Sequence, residues 1–257
     1  MVNRRTFLTM MSTATAMGMV SGVPGKPLSG EGSTKVVAFD AFALFDPRSV
    51  VAAVHKMFPE RGAALSQAWR TAQFEYTWLR NSMDKYENFW NVTYSALRHA
   101  SRATGIAISD AQADELMQSY LRLQAWPDAA QTLERLKKDN IKLAILSNFT
   151  VDMLHHCVAS SGLGGMLDAF ISTDEARAYK PSPLAYGMAT RAFKVTKGDV
   201  LFVAFAGWDA VGAKAFGYRT YWSNRMSSAT EDLGYQPDES SLTLDRLVSF
   251  ASAVVNA

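Results

Sequence analysis

The sequence predicts an α/β fold, a parallel sheet covered by helices on both faces, with a helical domain inserted behind the first strand. Three observations carry this. Short, fully apolar runs recur along the chain, the pattern of strands buried on both faces. Stretches with helical spacing separate them, and strands alternating with helices imply a parallel sheet. The alternation is broken once, by a long helical block at 48–126.

In chain order, Val36-Val37-Ala38-Phe39 is the first strand and ends at Asp40. The block 48–126 has helical spacing and many aromatics, among them Phe58, Trp69, Phe74, Trp78, Phe89 and Tyr120. It is read as an inserted cap domain, which leaves 34–47 and 127–257 for the α/β core. Pro127-Asp128 starts a helix running to Asn140, with Leu133 and Leu136 on its buried face. A strand at 141–146 ends at Ser147-Asn148, and the helix behind it runs to Ser161. A strand at 169–171 precedes a helix behind Pro183. A strand at 199–204 precedes a short helix after Asp209, and a last strand covers 219–222. No internal repeat or low-complexity run interrupts the series.

The chain has 257 residues, 48% of them hydrophobic, enough for a large core. Its formal charge is +2, too small to point to nucleic acid. Residues 1–33 hold Arg4, Arg5 and Lys26 against Glu31, so the remainder is balanced. Asn3-Arg4-Arg5-Thr6-Phe7-Leu8 precedes a mildly apolar run at 10–20, an address for export. The paired arginines resemble a twin-arginine signal, and 25–33 reads as a spacer. This implies a periplasmic enzyme handled by the twin-arginine export machinery. The run is too short to span a bilayer, and no later stretch is long and apolar enough, so no stable membrane anchor is expected. The single cysteine, Cys157, can make no internal disulfide. His55, His99, His155 and His156 have no ligand spacing, and no metal or cofactor is expected.

Ligands of such sheets bind beyond the carboxyl ends of the strands. Four polar groups stand there: Asp40, Ser147-Asn148, Lys180 in the loop behind the third strand, and Asp209. Each alone has an ordinary reading, as a cap, a turn or a solvated lysine. Together they describe a site. Asp40 is a candidate nucleophile, and Lys180 supplies the charge that holds its anion. Ser147 and the backbone N–H groups behind it open a helix, suited to a substrate anion. Asp209 is placed to orient a water.

Phe39-Asp40, Ser147-Asn148, Lys180-Pro181 and Trp208-Asp209 resemble the four motifs of the haloacid dehalogenase superfamily. The similarity is greatest to the L-2-haloacid dehalogenase branch. It is carried by FPERG at 58–62, Trp69-Arg70, FEYTWLR at 74–80, YLRL at 120–123, LAILSN at 143–148, KPSPLAY at 180–186, WDA at 208–210 and SNR at 223–225. The resemblance implies a Rossmann-like core and a two-step hydrolase. Asp40 attacks C2 of a short 2-substituted acid with inversion, and water cleaves the resulting ester. Ser147 would hold the substrate carboxylate and Arg70, from the cap, would face the leaving group. Lys180 would hold Asp40, Asp209 the water, and Tyr186 the Lys180 end of the site. Asn148, Phe89 and Trp208 would wall the pocket. Phosphatase relatives need a second Asp two residues behind the nucleophile, where this chain has Phe42, another substrate-facing candidate. A homodimer is common in the branch, and the aromatic cap could support one.

The chain departs from the branch in places. The segment 40–46 is one residue shorter than the family's and lacks its threonine. Ala204 and Ala206 replace a serine and an asparagine that support the carboxylates and the water. Losing such donors costs a few kcal/mol each where nothing replaces them. The expected activity is (S)-2-haloacid hydrolysis to the 2-hydroxy acid. The alternative is ring opening of L-azetidine-2-carboxylate to a 2-hydroxy-4-amino acid. A non-catalytic carboxylate binder is a third reading.

Overall fold

Six strands form one parallel sheet among residues 34–253, the residues that the computed structural model describes. The export leader and spacer expected at 1–33 lie outside the described residues. The strands are β1 (Val36–Phe39), β2 (Lys142–Ser147), β3 (Ala169–Ser172), β4 (Val200–Ala204), β5 (Arg219–Ser223) and β6 (Glu239–Ser241). Their order is β3-β2-β1-β4-β5-β6. β1 is central, and Val37 pairs with Leu143 on one side and Leu201 on the other. The chain reverses its direction of travel across the sheet beside β1, so the groups at its exit open onto the crevice where such sheets bind ligands.

Behind β1 come one turn of helix, α1 (Ala41–Leu44), and then α2 (Arg48–Met57), α3 (Gly62–Met83), α4 (Phe89–Thr104) and α5 (Asp110–Ser119). The remaining helices are α6 (Ala129–Lys138), α7 (Val151–Ser161), α8 (Pro183–Phe193), α9 (Gly207–Phe216) and α10 (Leu247–Ser252). Strand side chains alternate between faces. Val37, Phe39, Ile145 and Val203 pack with Leu133, Leu154 and Leu247 of α6, α7 and α10. Val36, Ala38, Leu146 and Phe202 pack with Tyr186, Ala189, Ala210 and Ala213 of α8 and α9.

The insertion leaves and re-enters the core at one place. Phe45 bridges Ala125, and the Trp126 N–H donates to the Leu44 carbonyl at 2.9 Å. Its apolar interior is continuous with the first face of the sheet, running from Phe39 to Leu65, Trp69, Leu97 and Leu116. The polar groups inside are paired: Trp69 Nε1 donates to the Thr93 carbonyl at 2.8 Å, and Gln73 Nε2 to Thr93 Oγ1 at 2.7 Å. Cys157 is buried, its Sγ against the Tyr120 carbonyl at 3.1 Å. Burial pushes its pKa to about 12, which leaves the thiol unreactive.

Several boundaries differ from the sequence expectation. α6 begins at Ala129 rather than Pro127. α7 opens at Val151, not at Ser147, because Thr150 takes the cap and accepts from the Met153 N–H. α9 starts before Asp209, which sits in its first turn, where a carboxylate meets the positive end of the helix. β6 and α10 were not anticipated. Glu-Ser-Ser has no apolar residue, and this edge strand is held by backbone pairing to Tyr221, Trp222 and Ser223.

Candidate active site

Asp40 sits one residue beyond β1 and caps α1, its Oδ2 accepting the Phe42 N–H at 3.0 Å. Its Oδ1 accepts from Lys180 Nζ at 2.8 Å. The same ammonium donates to Asp209 Oδ2 at 2.6 Å. Asp209 Oδ1 accepts from the Tyr186 hydroxyl at 2.7 Å. One cation thus joins two carboxylates, and a phenol holds the second from behind. The Lys180 and Asp209 side chains are 1% exposed, whereas Asp40 keeps 12%, so Asp40 is the group open to a reactant.

Burial alone would drive Lys180 toward its neutral form. The Asp209 and Asp40 charges overcome it, and the pKa stands above that of an ordinary lysine. Burial raises Asp209 to about 6, with Lys180 pulling it down, the Asp40 charge pushing it up and the Tyr186 hydroxyl pulling it down. Burial and the same two carboxylates raise Tyr186 well above a free phenol, so it stays a donor. The arrangement presents a desolvated carboxylate nucleophile, fixed by an ammonium and an N–H.

The other candidates surround this cluster. Asn148, one residue beyond β2, is buried. Its Oδ1 accepts the Lys180 main-chain N–H at 3.0 Å and the Thr173 hydroxyl at 3.2 Å, which fixes the lysine loop on β2. Ser147 Oγ accepts the Phe149 N–H at 3.2 Å and shapes the turn ahead of α7. Tyr186 is fully buried behind Asp209, so it supports the carboxylate rather than lining a pocket. Phe42 meets Phe149 edge-on at 5.2 Å and Phe205 at 5.8 Å, and Phe89 stacks on Phe149 at 5.3 Å. Trp208 packs against Phe74 at 5.5 Å and Trp78 at 6.0 Å.

Arg70 is exposed on α3, its guanidinium 5.4 Å from the Phe74 ring, with no carboxylate partner among the described residues. It lines a cleft of about 640 Å³ with Phe205, Ala206 and Trp208, and a narrow cavity of about 30 Å³ with Phe42, Gln73 and Tyr120. The structure therefore joins Asp40, Lys180, Asp209 and Tyr186 by direct bonds. Arg70 stands apart from them, at the seam between insertion and sheet. At Ala204 and Ala206 no side-chain donor reaches the carboxylates.

Sequence reasoning missed several supports. Trp126 Nε1 donates to the Phe42 carbonyl at 3.0 Å, and Arg225 Nη2 to the Ala43 carbonyl at 3.2 Å, so both hold the turn that follows Asp40. Arg225 is paired with Asp128 at 2.9 Å. Phe149 and Tyr179 each adjoin a predicted residue, the one signal that could have found them. Among the described residues no three His, Cys, Asp or Glu cluster closely enough to hold a metal ion.

Residues 34–217 match the haloacid dehalogenase-like hydrolase family. "Haloacetate dehalogenase H-2" of Moraxella sp. (strain B) is 39% identical over 215 residues, 83% of this chain and 96% of that protein. "(S)-2-haloacid dehalogenase" of Pseudomonas sp. (strain YL) is 38% identical over 205 residues, 79% of this chain and 88% of that one. The structure of an L-2-haloacid dehalogenase from Xanthobacter autotrophicus, with chloropropionic acid covalently bound, superposes with a TM-score of 0.78. Its identity is 35%, over 84% of this chain and 97% of that one.

Proposed function

The chain belongs to the haloacid dehalogenase-like hydrolase family, and we propose that it displaces halide from C2 of a short (S)-2-haloacid through an ester on Asp40. The observation that carries this reading is the Lys180 ammonium held between Asp40 and Asp209 at the exit of the central strand. It fixes the Asp40 carboxylate beside a positive charge in a largely dry place, as a weak nucleophile requires. An Asp40 oxygen forms a bond to C2 as the carbon–halogen bond breaks, and halide leaves with the electron pair. The configuration inverts.

Water then adds to the Asp40 carbonyl carbon. The carbonyl oxygen of the ester faces a donor either way: Lys180 if it is Oδ1, the Phe42 N–H if it is Oδ2. Charge developing on it is met by a fixed partner. The water gives a proton to the cluster, where Asp209 is the available base. The 2-hydroxy acid departs and Asp40 is regenerated. Arg70, unpaired at the cleft, suits the leaving halide or the substrate carboxylate.

Halide release from (S)-2-chloropropionate and chloroacetate tests the reading, and Asp40→Asn is expected to abolish it. Repeated turnover in heavy-oxygen water should place label in the peptide containing Asp40, read by mass spectrometry. An unlabelled Asp40 overturns the ester. None of the relatives described above is named for ring opening, so L-azetidine-2-carboxylate serves as the counter-substrate. Turnover of it without halide release would transfer the reading.

The leader at 1–33 supports export through the twin-arginine machinery to the periplasm, where the enzyme would detoxify small halogenated acids. Cell fractionation of an Arg4→Lys, Arg5→Lys variant tests this, and unchanged export would sink it. Exposed Leu79 and Met83 on α3 support a homodimer, and a monomer mass by light scattering would sink that.

A further inference from the structure

The loop that carries Lys180 is held from two directions. From the sheet, Asn148 accepts the Lys180 main-chain N–H. From the insertion, Asn81 near the end of α3 spans the preceding residue, Tyr179. Its Nδ2 donates to the Tyr179 carbonyl at 2.9 Å, and its Oδ1 accepts the Tyr179 N–H at 2.9 Å. A side-chain amide offers donor and acceptor in one plane, so it can pair with one backbone residue as a neighbouring strand would. Tyr179 is fully buried, its ring 5.1 Å from Tyr86 and its hydroxyl donating to the Glu87 carbonyl. The residue ahead of the catalytic lysine is therefore fixed by α3 and by the turn between α3 and α4.

We propose that Asn81 is a positioning residue for Lys180. By clasping Tyr179, it makes the seating of the insertion on the sheet a condition for placing the ammonium between Asp40 and Asp209. The proposal deepens the dehalogenase reading and rests on it for the effect on turnover. The Lys180 chain is long and has many rotamers. Its hold on two carboxylates depends on where its main chain is anchored. Without the clasp, the anchor would rest on the Asn148 bond, the Ser182 N–H on the Tyr179 carbonyl, the Tyr179 hydroxyl on Glu87 and the packing of the ring.

Three variants of the full chain test this. Asn81→Ala removes both bonds. Asn81→Asp keeps the size, but it loses the donor and sets an oxygen against the Tyr179 carbonyl. Tyr86→Phe is the control: it removes the insertion's bond to Asp174, 2.7 Å long, and leaves Tyr179 clasped. The carboxyl of Asp209 is followed by NMR of carboxyl-labelled aspartate, assigned with Asp209→Asn, beside kcat and KM for halide release. In both Asn81 variants a displaced ammonium should lower the Asp209 titration less, so it moves upward by about one pH unit. kcat should fall about 10- to 100-fold with KM little changed. Tyr86→Phe should leave titration and kcat near wild type. An unmoved titration in Asn81→Asp, or an equal shift in Tyr86→Phe, overturns the proposal. Wild-type protein that releases no halide would overturn the dehalogenase reading instead, and the titration would still decide the role of Asn81.

Discussion

At the residue level, two buried carboxylates share very few donors. Asp40 has Lys180 and the Phe42 N–H, and Asp209 has Lys180 and Tyr186. Burial holds Asp209 near pH 6, and it serves as a base only when ionised. Activity is therefore expected to be lost on the acid side, as pH drops to that value and below. Tyr186→Phe removes a hydrogen bond that favours the ionised form, so the acid limb of the rate profile should move to higher pH. A limb that stays in place would assign it to another group. Asp40, Lys180 and Asp209 were legible in the sequence because each ends or follows a buried strand. The task of Tyr186 was not, since the packing of α8 against α9 is what aims its hydroxyl at Asp209. The tie made by Asn148 was hidden for a related reason: its side-chain oxygen accepts a main-chain N–H of a loop far along the sequence.

Among the elements, α9 carries both Asp209 and the space that Tyr186 needs. A Cβ at Gly212 would stand 2.6 Å from the Tyr186 hydroxyl and 2.8 Å from Pro181 Cβ. Gly212→Ala must therefore push apart the phenol behind Asp209 and the loop beside Lys180. Overpacking of this kind costs about 1–3 kcal/mol, and kcat should fall more than the melting temperature suggests. Melting curves with steady-state kinetics check this, and an unaffected kcat would show the two elements to be looser than the contacts imply. Five strands were legible from their apolar or aromatic and β-branched residues, to within about a residue at most ends. β6 was not, because an edge strand can be held by backbone bonds with no apolar pattern. The start of α7 shifted because Thr150 is a cap equal to Ser147 in chemistry, and only the chain path chooses between them.

For the whole molecule, the sheet and insertion share one apolar interior, and the insertion returns to its point of departure at Phe45 and Ala125. Every group placed in the site lies within residues 34–253. Removing residues 1–30 is therefore expected to leave kcat/KM for halide release unchanged in purified protein, and a large loss would give those residues a role in the enzyme itself. The broken alternation at 48–126 showed in the sequence where the helices α2 to α5 follow the first strand. The clasp from Asn81 to Tyr179 was not visible, because it joins positions 98 apart through folding alone. The sharing of one ammonium by two carboxylates also gives the reaction cycle an electrical rhythm. When Asp40 becomes an ester it loses its charge, and with it the repulsion that raises the proton affinity of Asp209. The cluster alternates between net anionic and neutral once per turnover, and Asp209 is the stronger acid in the neutral phase. Ester hydrolysis, followed in single turnovers, should consequently keep its base ionised to a lower pH than Asp209 of the resting enzyme does.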